Sequence, residues 1–86
     1  MSITKKNSQQ AETIIDAREL KCPEPVMLLR NALRGVATNT QVTLLATDPS
    51  TSRDIPTMCK FMGHKILLSE RIGDEYRFVV VARAFN

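Results

Sequence analysis

Apolar residues recur along this chain in two rhythms. In some stretches they fall at every second position, in others at every third or fourth. A period of two marks a half-buried strand, and a period near 3.6 marks an amphipathic helix. The β-branched run Thr13-Ile14-Ile15 predicts a first strand over Glu12–Ala17. Arg18 to Lys21 then connects to a helix from Glu24 to about Leu33. Val26, Leu29 and Leu33 form its apolar stripe, widened by Met27, Leu28 and Ala32, while Arg30, Asn31 and Arg34 form a polar one. Gly35 follows as a stop signal, and Arg34 suits the negative end of the helix. Thr38-Asn39-Thr40 reads as a turn. Gln41–Thr47 then alternates, Val42, Leu44 and Ala46 against Thr43, Leu45 and Thr47. Leu45 implies that the second face is not fully wet.

Asp48-Pro49 ends that strand, and a second helix is expected over Thr51–Met62. Ser50 or Thr51 is placed to cap it, with Asp54 three residues after Thr51 in a capping-box position. Pro56 predicts a kink or restart. Ile55, Met58, Cys59 and Met62 share one face, and Gly63 closes the element. A third strand is expected over Lys65–Glu70, with Ile66 and Leu68 facing one side. Arg71–Glu75, containing Gly73-Asp74, makes a hairpin loop, and a fourth strand runs over Tyr76–Arg83. The order β-α-β-α-β-β predicts an α+β two-layer sandwich. Right-handed crossovers put both helices on one face of a four-stranded mixed sheet. The other face carries Leu45, Leu67, Val79 and Val81, either as a partner surface or as scattered surface apolars. Residues 1–11 are polar and pattern-free and read as a flexible leader, leaving 12–86 as a single domain.

With 43% hydrophobic and 24% charged residues, the composition is that of a soluble globular protein. No apolar run approaches the roughly 20 residues that span a bilayer, and no apolar signal core precedes the domain. A cytoplasmic protein without membrane contact is expected. The net charge of +3 is spread along the chain rather than gathered into a stripe, which argues against direct nucleic-acid binding. Two cysteines do not make a disulfide scaffold, although a Cys22–Cys59 bond is compatible with the sequence. One cysteine and the distant His64 fall short of the ligands a zinc site needs. His64 reads as a capping or surface residue rather than a base.

The chemistry concentrates at Lys21-Cys22-Pro23-Glu24-Pro25. Proline fits the first turn of a helix, whose N–H groups have no intrahelical partner. Cys22 is therefore expected at or near the N-cap, facing those free donors. The helix dipole favours a thiolate there. Lys21, Arg18 and Arg53 are candidate cations beside it, and Glu24 opposes them. With no C-x-x-C, one exposed thiol suits carrying a group between proteins rather than redox cycling. The competing reading of Cys22 is a small buried hydrophobe, which is the reading adopted for Cys59. Arg53 and Asp54 form a solvated helix turn and its cap, or alternatively Arg53 lines the rim of the cysteine, since both helices start at one edge of the sheet.

Cys22-Pro23-Glu24-Pro25 resembles the C-P-x-P motif of the TusA (SirA-like) family of sulfur carriers. Asp48-Pro49 with Arg53-Asp54-Ile55-Pro56 resembles its second signature, and Phe61-Met62-Gly63-His64 looks like the segment after its second helix. The likeness covers about Ile15 to Val81. It implies the β-α-β-α-β-β sandwich and no cofactor beyond sulfur carried covalently as a persulfide on Cys22. It also implies a cysteine desulfurase of the IscS type as donor and a further sulfur-relay protein as acceptor. The end use implied is 2-thiolation of wobble uridine in tRNA, or alternatively molybdenum-cofactor biosynthesis or sulfur metabolism. Pro23 and Pro25 carry over as shapers of the loop, and Arg53 and Asp54 as motif residues. Glu19 departs from the family, which usually has glycine there. Either the loop differs locally, or Glu19 presents a charge beside Cys22. The expected protein is a monomeric sulfurtransferase component without independent turnover. An RNA-binding module and a thiol-based regulator are the competing functions.

Overall fold

The computed structural model describes residues 13–83, so the leader expected at 1–11 lies outside the described residues. Strand β1 (Thr13–Ala17) is followed by helix α1 (Glu24–Gly35), β2 (Gln41–Ala46), α2 (Thr51–Met62), β3 (Lys65–Ile72) and β4 (Glu75–Val81). The spatial order is β1-β2-β4-β3. β1 pairs parallel with β2, and β4 runs antiparallel between β2 and β3. The expected mixed sheet and two-layer sandwich are what the chain forms.

Alternation decides which face of each strand is buried. Val42, Leu44 and Ala46 point inward opposite Val80, Phe78 and Tyr76, all of them buried. Leu29 and Leu33 of α1 and Ile55 and Cys59 of α2 close over them in one core. Met27 and Leu28, expected to widen the apolar stripe of α1, are instead exposed, because Pro25 takes the core position one turn before Leu29. Gly35 is the last helical residue rather than a left-handed cap, and the chain leaves extended at Val36.

Two further expectations are corrected. Ile66 and Leu68 do not face one side. Ile66 pairs with buried Val80 and Leu68 with half-buried Val79, so a β-bulge at Leu67 reverses the alternation. The open face accordingly carries Ile14, Leu45, Leu68, Ile72, Val79 and Val81. Helix α2 also continues through Pro56 without a restart. Its second turn keeps a local bond in which the Thr57 hydroxyl donates to the Arg53 carbonyl at 2.8 Å. The helix ends as expected at Gly63, whose φ of 83° is left-handed, and the His64 N–H donates to the Cys59 carbonyl at 2.8 Å. His64 is thus a capping residue, but a buried one. Its Nδ1 accepts the Arg83 N–H at 3.0 Å and ties the end of α2 to the end of β4. Burial and the nearby Arg83 charge hold its pKa below the ordinary value.

Candidate functional site

Cys22 sits in the turn between β1 and α1, one residue before the Pro23 N-cap. The Cys22–Pro23 bond is cis, Pro25 occupies the first turn of α1, and the Pro23 carbonyl accepts the Met27 N–H at 3.0 Å. The thiol, however, forms its hydrogen bond across to the second helix rather than within its own. Its anchors come from the loop between β2 and α2, which supplies Asp48, and from the first turn of α2, which supplies Asp54. The Cys22 N–H donates to Asp48 Oδ2 at 2.6 Å, and Sγ donates to Asp54 Oδ2 at 3.2 Å. Two loops that leave the same edge of the sheet meet at one sulfur, where open α/β sheets bind ligands.

This geometry reverses the electrostatics expected from the helix dipole. The Asp54 carboxylate accepting from the thiol raises the Cys22 pKa, with desolvation and the Asp48 charge adding to it and the Ser50 hydroxyl opposing it. The cations expected beside the sulfur are engaged elsewhere. Arg18 forms a two-point pair with Asp16 at 2.8 Å and lies 3.7 Å from Glu75. Lys21 acts on Asp48, whose pKa is lowered chiefly by the backbone N–H groups of Cys22 and Ser50. Arg53 is 80% exposed and reaches the site only through Asp54 Oδ1 at 3.5 Å. Glu24 is exposed in the first turn of α1.

Asp54 is not the capping-box residue that its spacing suggests. Ser50 is the N-cap and makes no side-chain capping bond, while the Thr51 hydroxyl donates to the Asp48 carbonyl at 2.7 Å. Spacing alone missed Asp48 and Ser50 as site residues. The available signal was their position at the C-terminal end of β2, the edge that also holds Cys22. Glu19 adopts the left-handed conformation usual for glycine, φ 71°, fixed by its N–H donating to Thr47 Oγ1 at 2.9 Å. The two cysteines are free. Cys22 is exposed, and Cys59 is buried in the core with its thiol pushed up to about 11 by desolvation.

Fold and site together define a small α/β domain that presents one cysteine thiol at the edge of its sheet. The family model described as sulfurtransferase TusA matches residues 13–81. A sulfur carrier protein TusA from Buchnera aphidicola subsp. Baizongia pistaciae is 46% identical over 65 residues, covering 76% of this chain and 82% of that protein. Another so named, from Pseudomonas aeruginosa strain LESB58, is 39% identical over 77 residues, covering 90% and 98%. The crystal structure of a SirA-like protein from Desulfitobacterium hafniense superposes with a TM-score of 0.73 at 25% identity, covering 84% of this chain and 99% of that one. The chain belongs to the TusA family.

Proposed function

We propose that this protein carries sulfur as a persulfide on Cys22, taking it from a cysteine desulfurase and handing it to a second relay protein for 2-thiolation of tRNA wobble uridine. The observation that carries this reading is an exposed thiol whose backbone and sulfur are both fixed by carboxylates of a second motif. Relatives named sulfur carriers support it. In loading, the Cys22 sulfur attacks the outer sulfur of the donor's persulfide, and the donor cysteine leaves with the electron pair of the broken S–S bond. In discharge the acceptor's thiolate attacks the outer sulfur, and Cys22 leaves. A carrier must be both nucleophile and leaving group, so an extreme thiol pKa in either direction would slow one of the two steps. Met27 and Leu28 on α1 and Phe61 on α2 are exposed apolar residues beside the helix layer, suited to brief protein contacts.

The end use is tested in cells lacking the gene. Wobble 2-thiouridine should fall and return with the wild-type gene but not with Cys22→Ser. Undiminished 2-thiouridine in the deletion would rule out this end use and point to another sulfur acceptor.

A further inference from the structure

Two side chains from the start of α2 face the Cys22 sulfur, and they are chemically opposite. Asp54 presents a charged acceptor, its Oδ2 on the thiol and its Oδ1 on Arg53. Ser50 presents a hydroxyl whose oxygen is buried. It acts on both the sulfur and the Asp48 carboxylate and favours the charged form of each, without reaching full hydrogen-bond geometry to either in the empty site. A buried hydroxyl that favours the anion at this sulfur is placed to donate to it once the charge is there. The charged groups around the sulfur are Asp54 from α2, Asp48 from the β2–α2 loop, Lys21 acting on Asp48, and Arg53 on the far oxygen of Asp54. Exposed Glu24 opens α1.

Loading changes what the sulfur can do. A thiol donates one hydrogen bond, whereas an ionised persulfide only accepts. The balanced exchange is a Cys22 thiol plus a donor persulfide anion, giving a Cys22 persulfide anion plus a donor thiol. The outer sulfur leaves one cysteine for the other as the first S–S bond breaks and the second forms. The Cys22 proton ends on the donor, and no net oxidation occurs. The negative charge therefore arrives beside the Asp54 carboxylate, and the hydrogen bond to Asp54 is lost.

We propose that Asp54 and Ser50 form a two-position holder for Cys22, in which Asp54 holds the empty thiol and the Ser50 hydroxyl holds the loaded anion. The loaded half of this proposal rests on the carrier reading. Asp54 disfavours the loaded state and so favours hand-off, while Ser50 keeps that state from being lost too readily. Both are positioning residues, and Ser50 answers the charged state of the sulfur.

The test has two readouts on wild type, Asp54→Asn, Asp54→Ala, Ser50→Ala and Ser50→Thr, each first checked for folding by thermal melting. The first is the pH profile of Cys22 alkylation by iodoacetamide, with the site assigned by peptide mapping. The second is the equilibrium ratio of loaded to empty protein in a glutathione persulfide and glutathione mixture. Removing the Asp54 charge should lower the alkylation midpoint by about one pH unit and raise the loaded ratio about tenfold. Ser50→Ala should raise the midpoint and lower the loaded ratio about threefold, and Ser50→Thr should restore both. Normal loading with midpoints and ratios unmoved by the Asp54 variants would overturn the holder alone. So would a Ser50→Ala midpoint that falls. Shifted midpoints with no sulfur taken up by any of the proteins would overturn the carrier reading, and the loaded half of the holder with it.

Discussion

Glu19 shows how a single residue is held against its own preference. An L-residue in the left-handed region is strained by about 1–2 kcal/mol, and glycine avoids this at some loss of chain entropy. Glu19→Gly should therefore raise stability by about 0.5–1 kcal/mol, read as a shift in urea midpoint. An unchanged or lower midpoint would mean that the Glu19 side chain offsets its backbone strain. Asp48 is the second such residue. Its folded pKa lies below the ordinary carboxylate value because two backbone N–H groups hold its anion. The stability it contributes is present above the unfolded pKa near 4 and is lost as pH falls through the lower folded value. Asp16, lowered to about 2 by Arg18, works in the same direction. Asp48→Asn should flatten the acid limb of the stability curve below about pH 4 without abolishing it, since Asp16 remains. Cys22 itself could be read from the sequence because proline on both sides of Glu24 is a local signal. Its partners could not, because Asp48 and Asp54 lie 26 and 32 residues away, and the spacing of Asp54 suggested capping instead.

At the level of elements, periodicity carried most of the information. The two- and 3.6-residue rhythms located the other elements of the described residues, a β-branched run located β1, and Gly63 marked the end of α2. What escaped was the bulge at Leu67, since alternation has no way to announce an extra residue in one strand of a pair. Pro56 misled for the opposite reason. A strong local breaker was overridden by the packing of Ile55 and Cys59 on either side of it. Gly63 is the position at which an element is least tolerant. A Cβ there would lie 2.8 Å from Arg83 Cδ on a backbone with φ 83°. Gly63→Ala should destabilise by about 1–2 kcal/mol, measured by chemical denaturation. A loss under about 0.3 kcal/mol would mean that Arg83 swings aside and the turn relaxes.

On the scale of the whole molecule, one small core supports the edge that presents Cys22. Phe78 is 1% exposed at the centre of the sheet, opposite Leu44 of β2 and Ser69 of β3. Phe78→Ala should cost about 3–5 kcal/mol, a large share of the stability of a domain this size. Near-native melting of that variant would contradict the core described here. No helix among the described residues is long and apolar enough to cross a membrane. The β-α-β-α-β-β order brings the β1–α1 and β2–α2 loops to the same edge, so Cys22 meets Asp48 and Asp54 through topology rather than sequence proximity. The central claim is that this edge carries sulfur on Cys22. Its most direct test is the intact mass of the purified protein after incubation with a cysteine desulfurase and cysteine. The wild type should gain one sulfur atom that reductant removes, Cys22→Ser should gain none, and Cys59→Ser should still gain it. Sulfur retained by Cys22→Ser, or none taken up by the wild type, would contradict the claim.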